Sequence, residues 1–268
     1  MKIVIFKGGL GNQLFQYSLY CKLKEAGYQV RAIDFCQGSH NGFEVSKYFD
    51  VDISFCKSFW KFLFFKLCGL PKKLRQMFII DEKHYAEHFY SLFYNDYWQD
   101  KRFMPYFCGI AFKHFQLTPR NSEAFCQITS TNSVAVHIRR GDYLQKGFSD
   151  IFINLSETDY YHNAIEMINS HLANPYFFIF SNDVDWCKSN LSLPNSMYVD
   201  WNKGTDSIYD LYLMSQCKVN IIANSTFSFW AAYLNRNAEM VICPTRWFTY
   251  GIPEIFPDTW IKVDCSAT

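Results

Sequence analysis

The sequence predicts an α/β protein made of two Rossmann-like halves, and three observations carry that prediction. Short apolar runs alternate with helix-length stretches along much of the chain, the pattern of parallel strands joined by crossover helices. The first run, Lys2 to Phe6, leads into a glycine-rich turn, Gly8 to Gly11. A later run, VAVHIRRGDY from Val134 to Tyr143, delivers His137, two adjacent arginines, a glycine and Asp142 at one strand end. Open α/β sheets hold their ligands at such ends.

In chain order, Lys2 to Phe6 reads as a buried strand and Asn12 to Ala26 as a helix stopped by Gly27. Gln29 to Phe35 is a second strand, which completes a β-turn-α-β unit. Ser54 to Arg75 is aromatic and basic and is interrupted by Gly69 and Pro71, while Glu82 to Phe112 reads as helices and loops dense in aromatics. A second α/β pattern opens at Ser133, with a strand to Ile138 and a helix near Asp159 to Ser170. It continues with strands at Tyr176 to Phe180 and Met197 to Val199, and a helix from Ser207 to Gln216. The strand Lys218 to Ala223, the helix Thr226 to Leu234 and the strand Met240 to Cys243 follow. The boundary is expected close to Ser130, giving domains 1–130 and 131–268. No internal repeat, low-complexity tract or flexible linker stands out.

Composition narrows the function. A chain of 268 residues can bury a real core as one large domain or two small ones. A net charge of +1 argues against a nucleic-acid partner, because such modules carry a basic surplus. Any phosphate chemistry must then be local. The aromatic share of 19% suits stacking on bases or sugars and equally suits an aromatic core, so it decides nothing. The apolar run after Met1 is too short for a secretory leader, and no stretch reaches the length of about 18 apolar residues that spans a bilayer. Ten cysteines are scattered without a CxxC pair, which reads as reduced cytoplasmic thiols rather than disulfides or a zinc site.

Three motifs carry candidate chemistry. Arg139 and Arg140 repel each other unless an anion or local carboxylates lie between them, and the planar guanidinium fork suits bidentate phosphate binding. A pyrophosphate is the natural guest, with pairing to Asp142 as the structural alternative. IIANSTFSFW, Ile221 to Trp230, reads as a strand leading into a helix capped by Asn224 or Ser225. Its N-terminus is either an anion site or an ordinary capped helix. GGLGNQ, Gly8 to Gln13, looks like a dinucleotide fingerprint, with Asp34 placed to hold a ribose. Leu14 stands where a third glycine would be needed, which weakens that reading. FSNDVDW puts Asn182 and Asp183 after a strand, and Asp183 with Asp185 mimics the DxD pair of metal-dependent transferases.

Read together, KGGLGNQLFQY, HxRRGDY and ANSTFSFWAAYL resemble the bacterial α-1,2-fucosyltransferases of glycosyltransferase family 11. A more distant likeness reaches the α-1,6- and protein O-fucosyltransferases. The resemblance runs from the first strand to FPDTWIKVD at Phe256 to Asp264, while Ser39 to Thr131 matches no motif. It implies a GT-B-like α/β architecture, two Rossmann-like halves facing a cleft, and an inverting, metal-independent transfer of L-fucose from GDP-fucose to the 2-hydroxyl of a galactoside. No cofactor beyond that donor substrate is implied.

By the resemblance, Arg139 clamps the β-phosphate, His137 lies against the guanine and Arg140 orients the loop or assists with the diphosphate. Ser225 and Thr226 look like phosphate ligands, Phe227 a wall of the nucleotide pocket, and Asp210 the acid that reads guanine. Gly9, Gly11 and Asn12 would face the cleft, where a backbone without side chains lets the donor or acceptor approach. Inversion needs a base near the attacking hydroxyl, and the carboxylates of the loop after the strand, Asp142 and Asp150, are the candidates. Asp142 can equally brace an arginine. Where α-1,6 relatives carry a Glu as a base candidate, this chain reads LQKGFS. The rivals are a nicotinamide oxidoreductase built on GGLGNQ and a binding module without turnover.

The acceptor, a galactose-containing oligosaccharide or lipid-linked glycan, would be chosen by the unmatched central region. There, Phe55 to Arg75 pairs aromatic and aliphatic residues with Lys57, Lys61, Lys72, Lys73 and Arg75. Such a segment either lies in a membrane interface, making the enzyme peripheral at the inner membrane, or is a buried helix of the acceptor domain.

Overall fold

The computed structural model describes residues 1–38, 40–85, 91–104, 110–191 and 193–266. The chain divides into two compact units, Met1–His114 and Phe115–Thr268.

The first unit opens with β1 (Lys2–Phe6), buried throughout, and α1 (Leu10–Glu25). After β2 (Val30–Asp34) come the short α2 (Val45–Tyr48), then α3 (Ser58–Cys68), α4 (Lys72–Gln76), β3 (Ile79–Ile80) and β4 (Phe93–Tyr94). The strands form one parallel sheet in the order β2-β1-β4-β3. Residues Glu82 to Phe112 were expected to hold only helices and loops, yet β4 lies inside this sheet against β1. Two residues are too few for periodicity to register. Both are fully buried aromatics, so packing rather than alternation makes the strand.

In the second unit α5 (Pro119–Ser130) precedes β5 (Asn132–Ile138), α6 (Tyr160–His171), β6 (Pro175–Ser181), α7 (Val184–Asn190) and β7 (Ser196–Val199). Then come α8 (Ser207–Met214), β8 (Val219–Ile221), α9 (Thr226–Tyr233), β9 (Met240–Pro244) and β10 (Ile261–Val263). The strands make a six-stranded parallel sheet ordered β10-β9-β8-β5-β6-β7. Helix α5 belongs to this unit, ahead of the expected boundary at Ser130. The reason is physical: Trp201 Nε1 and Asn202 Nδ2 both donate to Asn121 Oδ1, and Phe125 stacks on Tyr212 of α8.

The strand order locates the site. From β5 the chain moves to β6 and β7 on one side, then crosses to β8, β9 and β10 on the other. The carboxyl ends of neighbours β5 and β8 therefore flank a topological switch point, where loops leave in opposite directions and open a crevice.

Candidate active site at the β5–β8 switch point

His137 is the penultimate residue of β5, only 6% exposed, with its ring 6.0 Å from that of Phe227. Burial, aided by Arg139, drives its pKa down to about 3, so the imidazole is neutral. Among the described residues its Nδ1 is buried with no hydrogen-bond partner, as is Asn224 Oδ1, three residues beyond β8. Buried polar atoms without partners are rare and call for an explanation. Here both stand at the edge where a ligand is expected.

Beyond β5 the two arginines have separate partners. Arg139 Nη2 donates to Asp142 Oδ2 at 2.7 Å and its guanidinium lies 5.7 Å from the Tyr143 ring. Arg140 Nη1 donates to Asp183 Oδ2 at 2.6 Å, its Nε reaches Ser156 Oγ, and its guanidinium sits over Trp186 at 5.0 Å. Asn182 joins the two pairs: its Oδ1 accepts from the Arg140 amide and its Nδ2 donates to Asp142 Oδ1. A Cβ on Gly141 would meet Asn182 Nδ2 at 2.7 Å, so glycine is what lets the amide close on this loop. Arg140 is thus bound from three directions, while Arg139 leans on one carboxylate.

The second wall is the start of α9. Ser225, in extended conformation, caps the helix by accepting from the Phe227 amide, and Thr226 and Phe227 are half-buried. Asn224 is not the cap. Its Nδ2 donates to the carbonyls of Ile153 and Trp247, and its own carbonyl accepts from Tyr143 Oη, tying three loops together.

Asp210 lies in the first turn of α8, the end of that helix nearest the carboxyl edge of the sheet. The residue as a whole is half-buried, but its carboxyl is deeply enclosed and accepts from Asn202 Nδ2 at 2.7 Å. Desolvation pushes its pKa up to about 8 despite that bond.

In the first unit the glycine turn is a self-contained structure. Gly8 adopts a positive φ of 78°, and a Cβ there would also strike Asn12 Nδ2 at 2.7 Å. Helix α1 begins two residues earlier than expected, at Leu10, with Gly9 as its extended N-cap. This places Gly11 inside the first turn and buries it, whereas Gly9 and Asn12 stay half-buried. Asn12 Oδ1 accepts from Gln99 Nε2. Gln13, fully buried, donates to the carbonyls of Gly8 and Gly42 and accepts from the amides of Glu44 and Val45.

Residues 89–261 match the model of glycosyl transferase family 11. The chain belongs to glycosyltransferase family 11. An Escherichia coli alpha-1,2-colitosyltransferase is 31% identical across 98% of this chain and 100% of its own length. The Escherichia coli O-antigen biosynthesis glycosyltransferase WbnK is 36% identical over 50% of this chain and 45% of its own. Human galactoside alpha-(1,2)-fucosyltransferase 1 is 33% identical over 38% of the chain and 28% of its own length. Among solved structures, the fucosyltransferase NodZ from Bradyrhizobium aligns with a TM-score of 0.55 at 14% identity, covering 90% of this chain and 93% of that one. The fold class is the GT-B-like α/β one, each unit built on a parallel sheet.

For this family 11 member the nicotinamide reading of GGLGNQ is corrected. Leu14 is completely buried where a dinucleotide fold needs a glycine, and Asp34 spends its Oδ1 on the Cys36 amide. The DxD reading meets a similar obstacle: Asp183 spends one oxygen on Arg140 and the other on the α7 amide of Trp186. Among the described residues, none of the nine cysteines forms a disulfide. Of the base candidates, Asp142 is inside the arginine network and Asp150 is exposed on the outer part of the loop.

The structure draws His137, Arg139, Arg140, Asp142, Ser225, Thr226 and Phe227 to the edges of two neighbouring strands. Gly9, Gly11 and Asn12 belong to the first unit. Sequence reasoning missed the tyrosines that hold the edge, with Tyr160 Oη on the Ile222 carbonyl and Tyr161 Oη on that of His137. The adjacent Tyr pair opening a helix was the available signal. It also missed Glu82, enclosed near Asp96 and Asp100, whose pKa burial raises to about 7. Its carboxylate accepts from the Gln99 amide, one residue link from Asn12. Nothing in the local sequence marks it.

Proposed function

We propose that this transferase moves L-fucose from GDP-fucose to the 2-hydroxyl of a galactoside, with inversion, forming an α-1,2 linkage. The observation that carries the reading is Arg139 at the switch point, held toward the β5 edge by its ion pair with Asp142. As the bond from C1 of fucose to the β-phosphate oxygen breaks, its electron pair stays on GDP. A planar guanidinium already in place stabilises that developing charge, and preoriented donors of this kind are worth several kcal/mol. The acceptor oxygen bonds to C1 from the opposite face, and its proton passes to Asp142 or to water.

Asp142 is assigned first as the brace of Arg139, since both its oxygens are engaged. A carboxylate so engaged takes the acceptor proton only by loosening one of these bonds. His137, neutral and beside Phe227, suits the flank of a guanine ring, and Thr226 at the opening of α9 suits a phosphate oxygen. Arg140 and Ser225 position the loop and the helix, and Asp210 reads the guanine edge. Gly9 and Asn12, both half-buried, are the residues of the glycine turn open to donor or acceptor, while the buried Gly11 serves the packing of α1.

A galactoside screen with GDP-fucose, read by product mass and linkage analysis, tests the activity. GDP binding with no turnover on any galactoside would instead make the chain a binding module. A second donor, GDP-colitose, is favoured by one observation, the 31% identity to an alpha-1,2-colitosyltransferase along 98% of the chain. Competition between the two donors decides which sugar it moves. Turnover is expected to survive excess EDTA. Loss on chelation with recovery on adding Mg²⁺ or Mn²⁺ would return the SNDVDW acids to consideration.

A further inference from the structure

We propose that the face formed by α3 and α4 docks the enzyme onto an anionic lipid bilayer. Helix α3 is not the buried helix that its hydrophobic composition allows. Among its residues only Phe64 is buried, while Trp60, Leu63, Leu67 and Cys68 are partly covered and pack on the core of β1 and β4. The opposite face is bare aromatic surface: Phe59 is 62% exposed, Phe62 60% and Phe65 57%. These three recur every third residue and so form one stripe. The apolar surface continues past the Gly69–Pro71 break, where Leu74 is 50% and Met77 61% exposed and Phe78 also faces solvent. Exposed apolar groups this dense along one short segment mark an interaction surface.

Charge selects the occupant. Between Ile53 and Ile80 the chain carries Lys57, Lys61, Lys66, Lys72, Lys73 and Arg75 and no Asp or Glu. Lys57 borders two recesses at the root of α3, of about 170 and 230 Å³; the first is also walled by Lys61 and by one acid, Asp34, and the second by Arg31, so cations outnumber the carboxylate there. A second copy of the chain brought face to face by a two-fold axis would set these cations against each other. A nucleic acid would satisfy the cations and leave the aliphatic Leu74 and Met77 exposed to water. An anionic leaflet satisfies both: rings and aliphatic groups enter the acyl boundary and cations meet the headgroup phosphates. No helix among the described residues is long and apolar enough to cross a membrane, so the contact is peripheral. A site of this kind delivers the enzyme to lipid-linked acceptors, though the docking surface itself does not depend on which sugar is transferred.

Flotation of the full chain with phosphatidylglycerol-containing vesicles tests the proposal. Wild type should float at low salt and stay at the bottom with phosphatidylcholine alone. Phe59→Glu with Phe62→Glu should abolish flotation, with circular dichroism confirming the fold. Lys72→Glu with Lys73→Glu, on exposed positions that carry no core contact, should reduce the bound fraction at least severalfold. Failure of the wild type to float overturns the proposal. So does flotation that survives both double variants, a dimer in sedimentation equilibrium that the Phe variants dissociate, or a gel shift of a duplex oligonucleotide with no vesicle binding.

Discussion

The two strand-end turns, Gly8–Gln13 after β1 and Arg139–Tyr143 after β5, perform the same topological job by opposite chemistry. The first is closed by neutral amides: Gln13 alone satisfies two carbonyls and two backbone amides, and Gln16 adds bonds to both the amide and the carbonyl of Lys7. The second is closed by ions, with Asp142 on Arg139 and Asp183 on Arg140. Amide bonds have no better offer from an anionic substrate. An arginine paired with one carboxylate does, because a diphosphate can share the same guanidinium edge. On the proposed function, the contrast separates a turn that serves as scaffold from a turn that exchanges partners.

Breaking the scaffold turn should therefore cost the most stability. Gln13→Leu keeps the bulk of the side chain but strands up to four buried backbone groups, each worth about 1 to 3 kcal/mol when left unmade. We expect a loss of at least about 3 kcal/mol in urea denaturation, concentrated in the transition of the first unit. A loss below 1 kcal/mol would mean that water replaces the amide and the turn is not locked in this way.

The exchange turn should break differently. Arg139→Lys keeps the charge but loses the planar fork, so turnover should fall about 100-fold, comparable with deleting an oxyanion-hole donor. The urea midpoint should hardly move, since a half-exposed ion pair contributes at most about 1 kcal/mol. A large stability loss with modest loss of turnover would place Arg139 with the scaffold. The same substitution at Arg140, which is bound from three directions, should show that structural signature instead.

Gly141→Ala sharpens the comparison because it touches neither arginine. Its new Cβ displaces Asn182, the amide that links the two ion pairs. A displacement of this size in a positioning loop should lower kcat roughly tenfold with little change in KM for the acceptor. Combining it with Asn182→Ala, which removes the clash, should give a smaller loss than the sum of the two. Strict additivity would show that the close approach is not what glycine provides.

The ionic turn was also the more legible of the two. Charged groups in a row after a short apolar strand can be read as a site without knowing the fold, and the parallel sheet around them followed from element alternation. What stayed hidden depends on contacts distant in sequence. Gln13 is set by Gly42 and Glu44, the site edge by Tyr160 and Tyr161, and β4 by its burial against β1. The sequence left both readings of α3 open, with the buried helix favoured over the surface one. A helix whose apolar residues go nearly all the way round carries no periodicity to say which face is covered.

The smallest effect comes from the two buried titratable groups of the second unit, whose pH slopes oppose each other. His137 is held neutral, its pKa falling from 6.5 to about 3, so the unfolded chain takes up a proton first and stability falls as pH drops through that window. Asp210 is shifted the other way, from 3.8 to about 8, so the folded chain keeps a proton that the unfolded chain has lost. Its contribution is full below 3.8 and declines as pH rises toward 8, by at most about 1.4 kcal/mol per unit. Between 3.8 and 6.5 the two slopes largely cancel. Glu82 in the first unit, raised to about 7, adds to the decline only up to that pH. The interval from pH 7 to 8 thus isolates Asp210, and Asp210→Asn should flatten the stability curve there. Guanine offers N–H donors, which an ionised carboxylate accepts and a protonated one meets poorly, so GDP binding at pH 7 should expel a proton. Calorimetry in buffers of different ionisation enthalpy should detect that release in the wild type and not in the variant, together with GDP affinity that rises up to pH 8. Equal proton release by both proteins would remove Asp210 from guanine recognition and leave it a buried partner of Asn202.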